Sequence, residues 1–176
     1  MTDLAIEPFA HRVDYEGMIA YFLGADRPYL EGMGVDPARL PDRDAWLSRL
    51  LPDLQRQDQD KQAFYVSWRC DDVVIGHSNI NRIRYAEDAY AHLHIWHPKW
   101  RKASLGTELF RRSVNLFLER FKLARLYCEP FAHNPAPNRV LTRLGFRLLE
   151  TYRTVPGAIA FEQEVSRYVI ERQIPL

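Results

Sequence analysis

His92 and His94 stand two residues apart in the stretch 89–96, where apolar and polar positions alternate. Alternation with a period of two is the mark of a strand with two unlike faces. It sends Ala89, Ala91, Leu93 and Ile95 to one side and Tyr90, His92, His94 and Trp96 to the other. Two imidazoles sharing a face can pass a proton near neutral pH, share a metal, or sit as hydrogen-bonded, partly buried side chains. Zinc would need a third ligand and an open position. His97 falls on the opposite face and no carboxylate is placed beside the pair, so no metal site is expected. Directly downstream runs Trp96-His97-Pro98-Lys99-Trp100-Arg101-Lys102-Ala103-Ser104-Leu105-Gly106-Thr107, joining this strand to the most helix-like segment of the chain. A strand-to-helix junction leaves backbone N–H groups unpaired at the positive end of the helix dipole. Small residues at 103, 104 and 106 let an anion approach the backbone, and Arg101 and Lys102 add positive charge, so the segment suits a phosphate or pyrophosphate.

The elements that must position these residues follow from periodicity and punctuation. Residues 105–121 carry Leu105, Leu109, Val114, Phe117, Leu118 and Phe121 at helical spacing, with Arg111, Arg112, Glu119 and Arg120 on a wetter side. Ser104 is placed to cap this helix. Upstream, 63–68 and 73–83 flank the turn-like pair Asp71-Asp72 and predict a hairpin, which with 89–96 makes a three-strand antiparallel meander. Downstream, the pattern predicts a short strand over 125–129 and a short helix over 138–144 that stops at Gly145. Two closing strands follow, over 146–154 and 161–170. In the first sixty residues the pattern predicts helices over 14–23 and 44–59. Pro28, Gly32, Gly34, Pro37 and Pro41 mark a loop between them.

Composition narrows the class. The 176 residues are 47% hydrophobic and 27% charged, ordinary values for a globular chain, and they suit one domain over 1–176. Lys and Arg total 24 against 23 Asp and Glu, a net charge of +1, which argues against a nucleic-acid partner. No apolar run approaches the roughly 18 residues a membrane span needs, and residues 1–10 carry Asp3 and Glu7 where a signal peptide would be apolar. Cys70 and Cys128, far apart in apolar surroundings, read as buried thiols in a reducing compartment. The expectation is a soluble, cytoplasmic protein without a membrane partner, a monomer or homodimer.

The junction resembles the acyl-CoA-binding loop of the GNAT acetyltransferase superfamily, Gln/Arg-x-x-Gly-x-Gly/Ala, with Arg101, Ser104 and Gly106 at the three pattern positions. Ser104 stands where the family has glycine. A second segment, Asn134-Pro135-Ala136-Pro137-Asn138-Arg139-Val140-Leu141-Thr142-Arg143-Leu144-Gly145-Phe146, is similar to the superfamily's Asn-x-x-Ser/Ala-x-x-x-(Leu/Tyr)-x-Lys-x-Gly-Phe, with Pro137 replacing the small residue. The resemblance covers residues 63–154 well and the first sixty loosely. It implies an α/β (α+β) fold: a mixed, mainly antiparallel sheet of about six to seven strands, flanked by about four helices and splayed between its fourth and fifth strands. It further implies acetyl-CoA as co-substrate, without a metal. Its pyrophosphate would rest on backbone N–H groups around Ala103, Ser104, Leu105, Gly106 and Thr107, with Arg101 and Lys102 adding positive charge. Its pantetheine arm would lie along Ile95 and Trp96 and beside Asn134, with Arg139 at the phosphate end. The alternative from local sequence is that Asn134 is a turn residue before Pro135.

The activity implied is acetyl transfer to a primary amine of a small molecule or a peptide N-terminus, as in the ribosomal-protein N-terminal acetyltransferase branch. The attacking amine must be neutral, and the resemblance gives the proton-accepting role to His92 and His94, whose rate would rise between about pH 6 and 8. Leu141 occupies the position of the family's thiolate-protonating tyrosine; Tyr127 and Tyr152 are nearby in sequence, with nothing to single them out. Ser104 and Leu141 motivate the alternative of a non-catalytic acyl-CoA-binding module. The His cluster motivates a third reading, a metal-dependent hydrolase. The acceptor is sought among the aromatics Tyr15, Tyr21, Tyr29, Trp46 and Tyr152 and the acids Asp26, Glu31 and Asp36.

Overall fold

The computed structural model describes residues 3–101 and 105–172. Strand β1 (Leu4–Pro8) leads into helices α1 (Arg12–Leu23), α2 (Arg27–Gly32) and α3 (Arg43–Leu50). The meander β2 (Ala63–Cys70), β3 (Val73–Arg84) and β4 (Asp88–Ile95) follows. Helix α4 (Leu105–Arg120), strand β5 (Arg125–Cys128), helix α5 (Pro135–Arg143) and strands β6 (Arg147–Thr154) and β7 (Gln163–Glu171) complete the chain. The seven strands form one sheet in the order β1-β2-β3-β4-β5-β7-β6, antiparallel except where β4 meets β5.

The amino-terminal region departs from its sequence expectation in three ways. The helix expected over 44–59 stops at Leu50, because Pro52 cannot donate the next helical hydrogen bond and the chain tightens into a 3₁₀ turn over Leu51–Gln55. The expected loop holds α2: Asp26 accepts a hydrogen bond from the Tyr29 N–H at 2.8 Å, and Pro28 sits in the first turn, where its missing N–H costs nothing. Residues 4–8, for which no strand was expected, pair antiparallel with β2 and extend the meander to four strands. Helix α5 also begins three residues early, with Asn134 as its N-cap, and Gly145 ends it at φ +82°.

Alternation divides the sheet. Phe64, Val66, Trp68, Ile80, Ala89 and Ala91 point to the face covered by α4 and are buried against Leu109, Phe110 and Phe117. The Trp68 indole donates to Ser113 Oγ at 2.9 Å, which satisfies its one polar group inside this core. The opposite face receives α1–α3 through a second cluster that includes Tyr15, Met18, Phe22 and Leu47. Pairing of β4 with β5 covers only Asp88–Tyr90 against Arg125–Tyr127, after which β5 ends and Pro130 carries the chain away. Beyond Tyr90 the two strands therefore diverge and leave a cleft through the sheet. Among the described residues no helix is long and apolar enough to cross a membrane.

Candidate active site

A cavity of about 820 Å³ follows that cleft. One part of its wall comes from the end of β4 and the starts of α4 and α5: Ile95, Gly106, Thr107, Asn134, Arg139 and Arg143. Another comes from the α1–α3 side, with Phe22, Tyr29, Trp46 and Tyr65. His92 and His94 on β4, and Glu129 just past β5, line the stretch between them.

Gly106 lies so close to β4 that a Cβ there would come within 3.0 Å of Ile95 Cδ1, and this closeness sets the start of α4 against the strand end. Trp96 donates its N–H to Ile75 at 2.9 Å, so by alternation the backbone groups of Leu93 and Ile95 point away from β3, to where β5 no longer pairs. The Trp96 side chain is not in the cavity wall; its indole donates to His77 Nδ1 at 2.8 Å. Leu105 packs against the α4 core. The Arg101 guanidinium donates to the Ile95 and Trp96 carbonyls at 3.2 and 3.3 Å and lies 4.2 Å from the Tyr29 ring centroid. Lys102, Ala103 and Ser104 lie outside the described residues. Asn134 lines the cavity and caps α5, accepting from the Ala136 N–H at 3.3 Å through Oδ1. Asn138, given no site role by the sequence, pins this loop by donating to the carbonyls of Phe131 (3.1 Å) and Asn134 (2.7 Å). Arg139 is exposed and donates to the Pro135 carbonyl.

On the α1–α3 face, register sets up a ladder of polar pairs: His77 opposite His94, Asn79 opposite His92, and Asn81 opposite Tyr90. His77 stacks on His94 at 4.9 Å with 14° between the rings, and Phe22 and Tyr21 close on His94 at 5.1 and 5.8 Å. Burial makes the charged form costly for all three imidazoles. His94 falls to about 3, through burial and then the neighbouring His92 and Arg101. His92 falls to about 4, through burial and then Arg82, with Glu129 pulling the other way. His77 is held well below its ordinary value by burial. The imidazoles of His92 and His94 are therefore neutral through pH 6 to 8 in this environment, where the sequence placed their titration. His92 Nε2 and Asn81 Oδ1 are buried and find no hydrogen-bond partner among the described residues.

Glu129 was not singled out by the sequence. Its side chain is only 4% exposed, and Arg167 Nε reaches its Oε1 at 2.6 Å. The same oxygen accepts from the Tyr152 hydroxyl, whose pKa is pushed up to about 12 by burial and by Glu129. Tyr127 instead stacks on Tyr90 at 5.3 Å, and Leu141 is fully buried in the α4 core. The acids noted in the first helices are engaged outside the cavity wall: Asp26 caps α2, Glu31 pairs with Arg27 and Asp36 pairs with Arg39. Cys70 and Cys128 are buried, unbonded thiols. Among the described residues, no three His, Cys, Asp or Glu side chains are grouped to hold a metal ion.

The family model of the GNAT acetyltransferase domain matches residues 3–147. A search among curated protein sequences gave no match. Several solved structures share the architecture at low identity. The ribosomal-protein-alanine acetyltransferase of Vibrio fischeri superposes with TM-score 0.78 at 12% identity, covering 98% of this chain and 97% of that one. Spermidine N-acetyltransferase of Vibrio cholerae, in complex with CoA and spermine, gives 0.75 at 15%, covering 96% and 95%. RimL, a ribosomal-protein acetyltransferase in complex with coenzyme A, gives 0.74 at 14%, covering 94% and 93%.

Proposed function

Because the chain belongs to the GNAT acetyltransferase family, we propose that it transfers an acetyl group from acetyl-CoA to a primary amine by direct attack. The observation that carries this reading is the cavity running through the β4–β5 cleft, with helix starts on one side and a separate, largely aromatic wall on the other. The residues present suit the co-substrate. Gly106 brings the positive end of α4 against β4, and Leu93 and Ile95 offer backbone groups with no strand beside them, as an added extended chain requires. Asn134 keeps an amide N–H₂ to donate while its oxygen caps α5. Arg101–Thr107 would hold the pyrophosphate, with Arg139 toward the phosphate end. Bound acetyl-CoA would supply the thioester carbonyl.

In this reading the chain brings the acceptor nitrogen to the cleft and takes up its proton. His92 and His94 are neutral at working pH and face the reacting region from β4. A neutral imidazole accepts a proton at one nitrogen and releases one from the other, so it relays without having to stay charged in a dry site. Among the described residues His92 Nε2 has no protein partner, so no hydrogen bond to another side chain ties up that nitrogen of the relay. A carbon–nitrogen bond then forms as the carbon–sulfur bond breaks, and the sulfur leaves as a thiolate, a far weaker base than an alkoxide. The test is calorimetric binding of acetyl-CoA together with release of free CoA thiol when amines are added. Binding with no thiol release for any amine would leave a non-catalytic acyl-CoA-binding module, and absence of binding would end the reading.

A further inference from the structure

Resting on that reading, we infer that the acceptor is a monoamine carried on an aromatic or compact apolar body, not a polyamine, a polycationic sugar or a peptide chain. The acceptor-side wall carries the rings and thioethers of Phe22, Tyr29, Trp46, Tyr65, Met18 and Met33, and its polar side chains, the amides of Asn79, Asn81 and Gln163, are uncharged. Such a wall holds a flat apolar group by area and edge contacts, and the flexible methionines adapt to its outline. Three rings in it are already mutually organised: Phe22 packs on Trp46 at 5.5 Å and on His94 at 5.1 Å, within reach of the proposed reaction centre.

Charge excludes the alternatives. A second or third ammonium on the acceptor would need its own carboxylate, since an unpaired buried cation costs far more than the burial returns. Among the described residues, Glu129 is the sole carboxylate in the cavity wall, and Arg167 already pairs with it. The remaining charged groups there, Arg101, Arg139 and Arg143, are cations and offer an ammonium no counter-charge. A peptide would need an exit for its chain. Where the α2 end and the β6–β7 loop meet, the wall is joined by backbone: the Asp36 N–H donates to Ile159 at 2.8 Å, and Val35 bridges Ala160. Gln163 closes the same seam by donating to the Gly34 carbonyl at 2.7 Å.

The experiment compares kcat/KM, by thiol release, for 2-phenylethylamine, n-propylamine, spermidine and an alanine-initiated decapeptide, with acetyl-CoA binding measured on the same protein. Phenylethylamine should exceed each of the others by at least about tenfold, the effect expected from burying one aromatic ring. In Trp46→Ala the phenylethylamine-to-propylamine ratio should fall several-fold, a change that mere loss of folded protein cannot produce. Spermidine or the peptide turned over as well as phenylethylamine would overturn the inference and leave the transferase reading standing. So would acetyl-CoA binding without acetylation of phenylethylamine. Failure to bind acetyl-CoA would remove the transferase reading, and the inference with it.

Discussion

His92 and His94 combine two properties that pull against each other: a place in the cleft, and a basicity lowered to about 4 and about 3. A base that weak draws a proton only when its partner gives it up readily, so its worth lies in relay and position. The double variant His92→Gln, His94→Gln should lose about 10²–10⁴ in kcat while binding acetyl-CoA normally, measured by thiol release and calorimetry. In the wild type the pH dependence of kcat/KM should carry the acceptor's ionisation and no histidine step between pH 6 and 8. Two amines of different pKa should therefore give inflections that move with the amine, and an inflection fixed near 6.5 for both would contradict the burial of these rings. Asn134→Ala should weaken acetyl-CoA binding by about 1–3 kcal/mol in protein shown to be folded, since its amide would pair with the co-substrate. The His pair was legible because alternation alone assigns a face. His77 and Glu129 were not, because each acquires its role only from a neighbour: His77 from a register that stacks it on His94, Glu129 from a cleft that exists only where β5 stops pairing.

Helix α4 was the most legible element, since its apolar stripe has one period and meets one partner, the sheet face carrying Phe64 and Val66. Its start is also where one side chain should matter most. Gly106→Glu would drive a side chain toward Ile95 and set a negative charge at the helix start. Acetyl-CoA affinity should fall by more than tenfold with the circular dichroism spectrum unchanged, and unchanged affinity would take the co-substrate off this helix. Gly76 makes a comparable demand inside the sheet. A Cβ there would sit 2.2 Å from the His94 carbonyl oxygen, so Gly76→Ala must push β3 and β4 apart beneath the histidine stack. About 1–3 kcal/mol of stability should be lost in denaturant unfolding, with a larger loss of kcat than of acetyl-CoA affinity. Neither close approach can be read from sequence, because a glycine in a strand says that something comes near without saying what. The amino-terminal elements were misread for the opposite reason: local signals were present but competed. The leucine spacing of 47, 50, 51 and 54 points to a longer helix than Pro52 allows, and Pro28, by itself a helix breaker, belongs to a helix start once Asp26 caps it.

At the scale of the molecule, the sheet is covered by α4 on one face and by α1–α3 on the other, and the second face buries ionisable rings. Folding keeps His77, His92 and His94 neutral, while the unfolded chain protonates them near pH 6.5, so below that pH the unfolded state binds the extra protons and stability falls. The loss should begin as pH drops through about 6.5 and continue to about 4 for His92 and about 3 for His94, at up to about 1.4 kcal/mol per pH unit for each ring. Thermal unfolding between pH 7 and 4.5 should show this slope, and the Gln double variant should flatten it. The overall architecture was legible since strand order and the two motifs agreed, whereas the layering of α1–α3 over the histidines depends on contacts between distant parts of the chain. The seam joining Gly34, Val35 and Asp36 to Ile159, Ala160 and Gln163 is the extreme case: its Gln163 bond spans 129 positions. Contacts so remote are late arrivals, because most of the chain must be in place before the ends of that long loop can meet. On the ribosome the helix starts and the cleft can therefore form while the seam at the edge of the amine-facing wall is still open, and the chain reaches competence for its acceptor only with its last strands. In the finished protein the same seam is the natural point of first opening, so native-state amide exchange should release Asp36 well before the amides shared by β2 and β3.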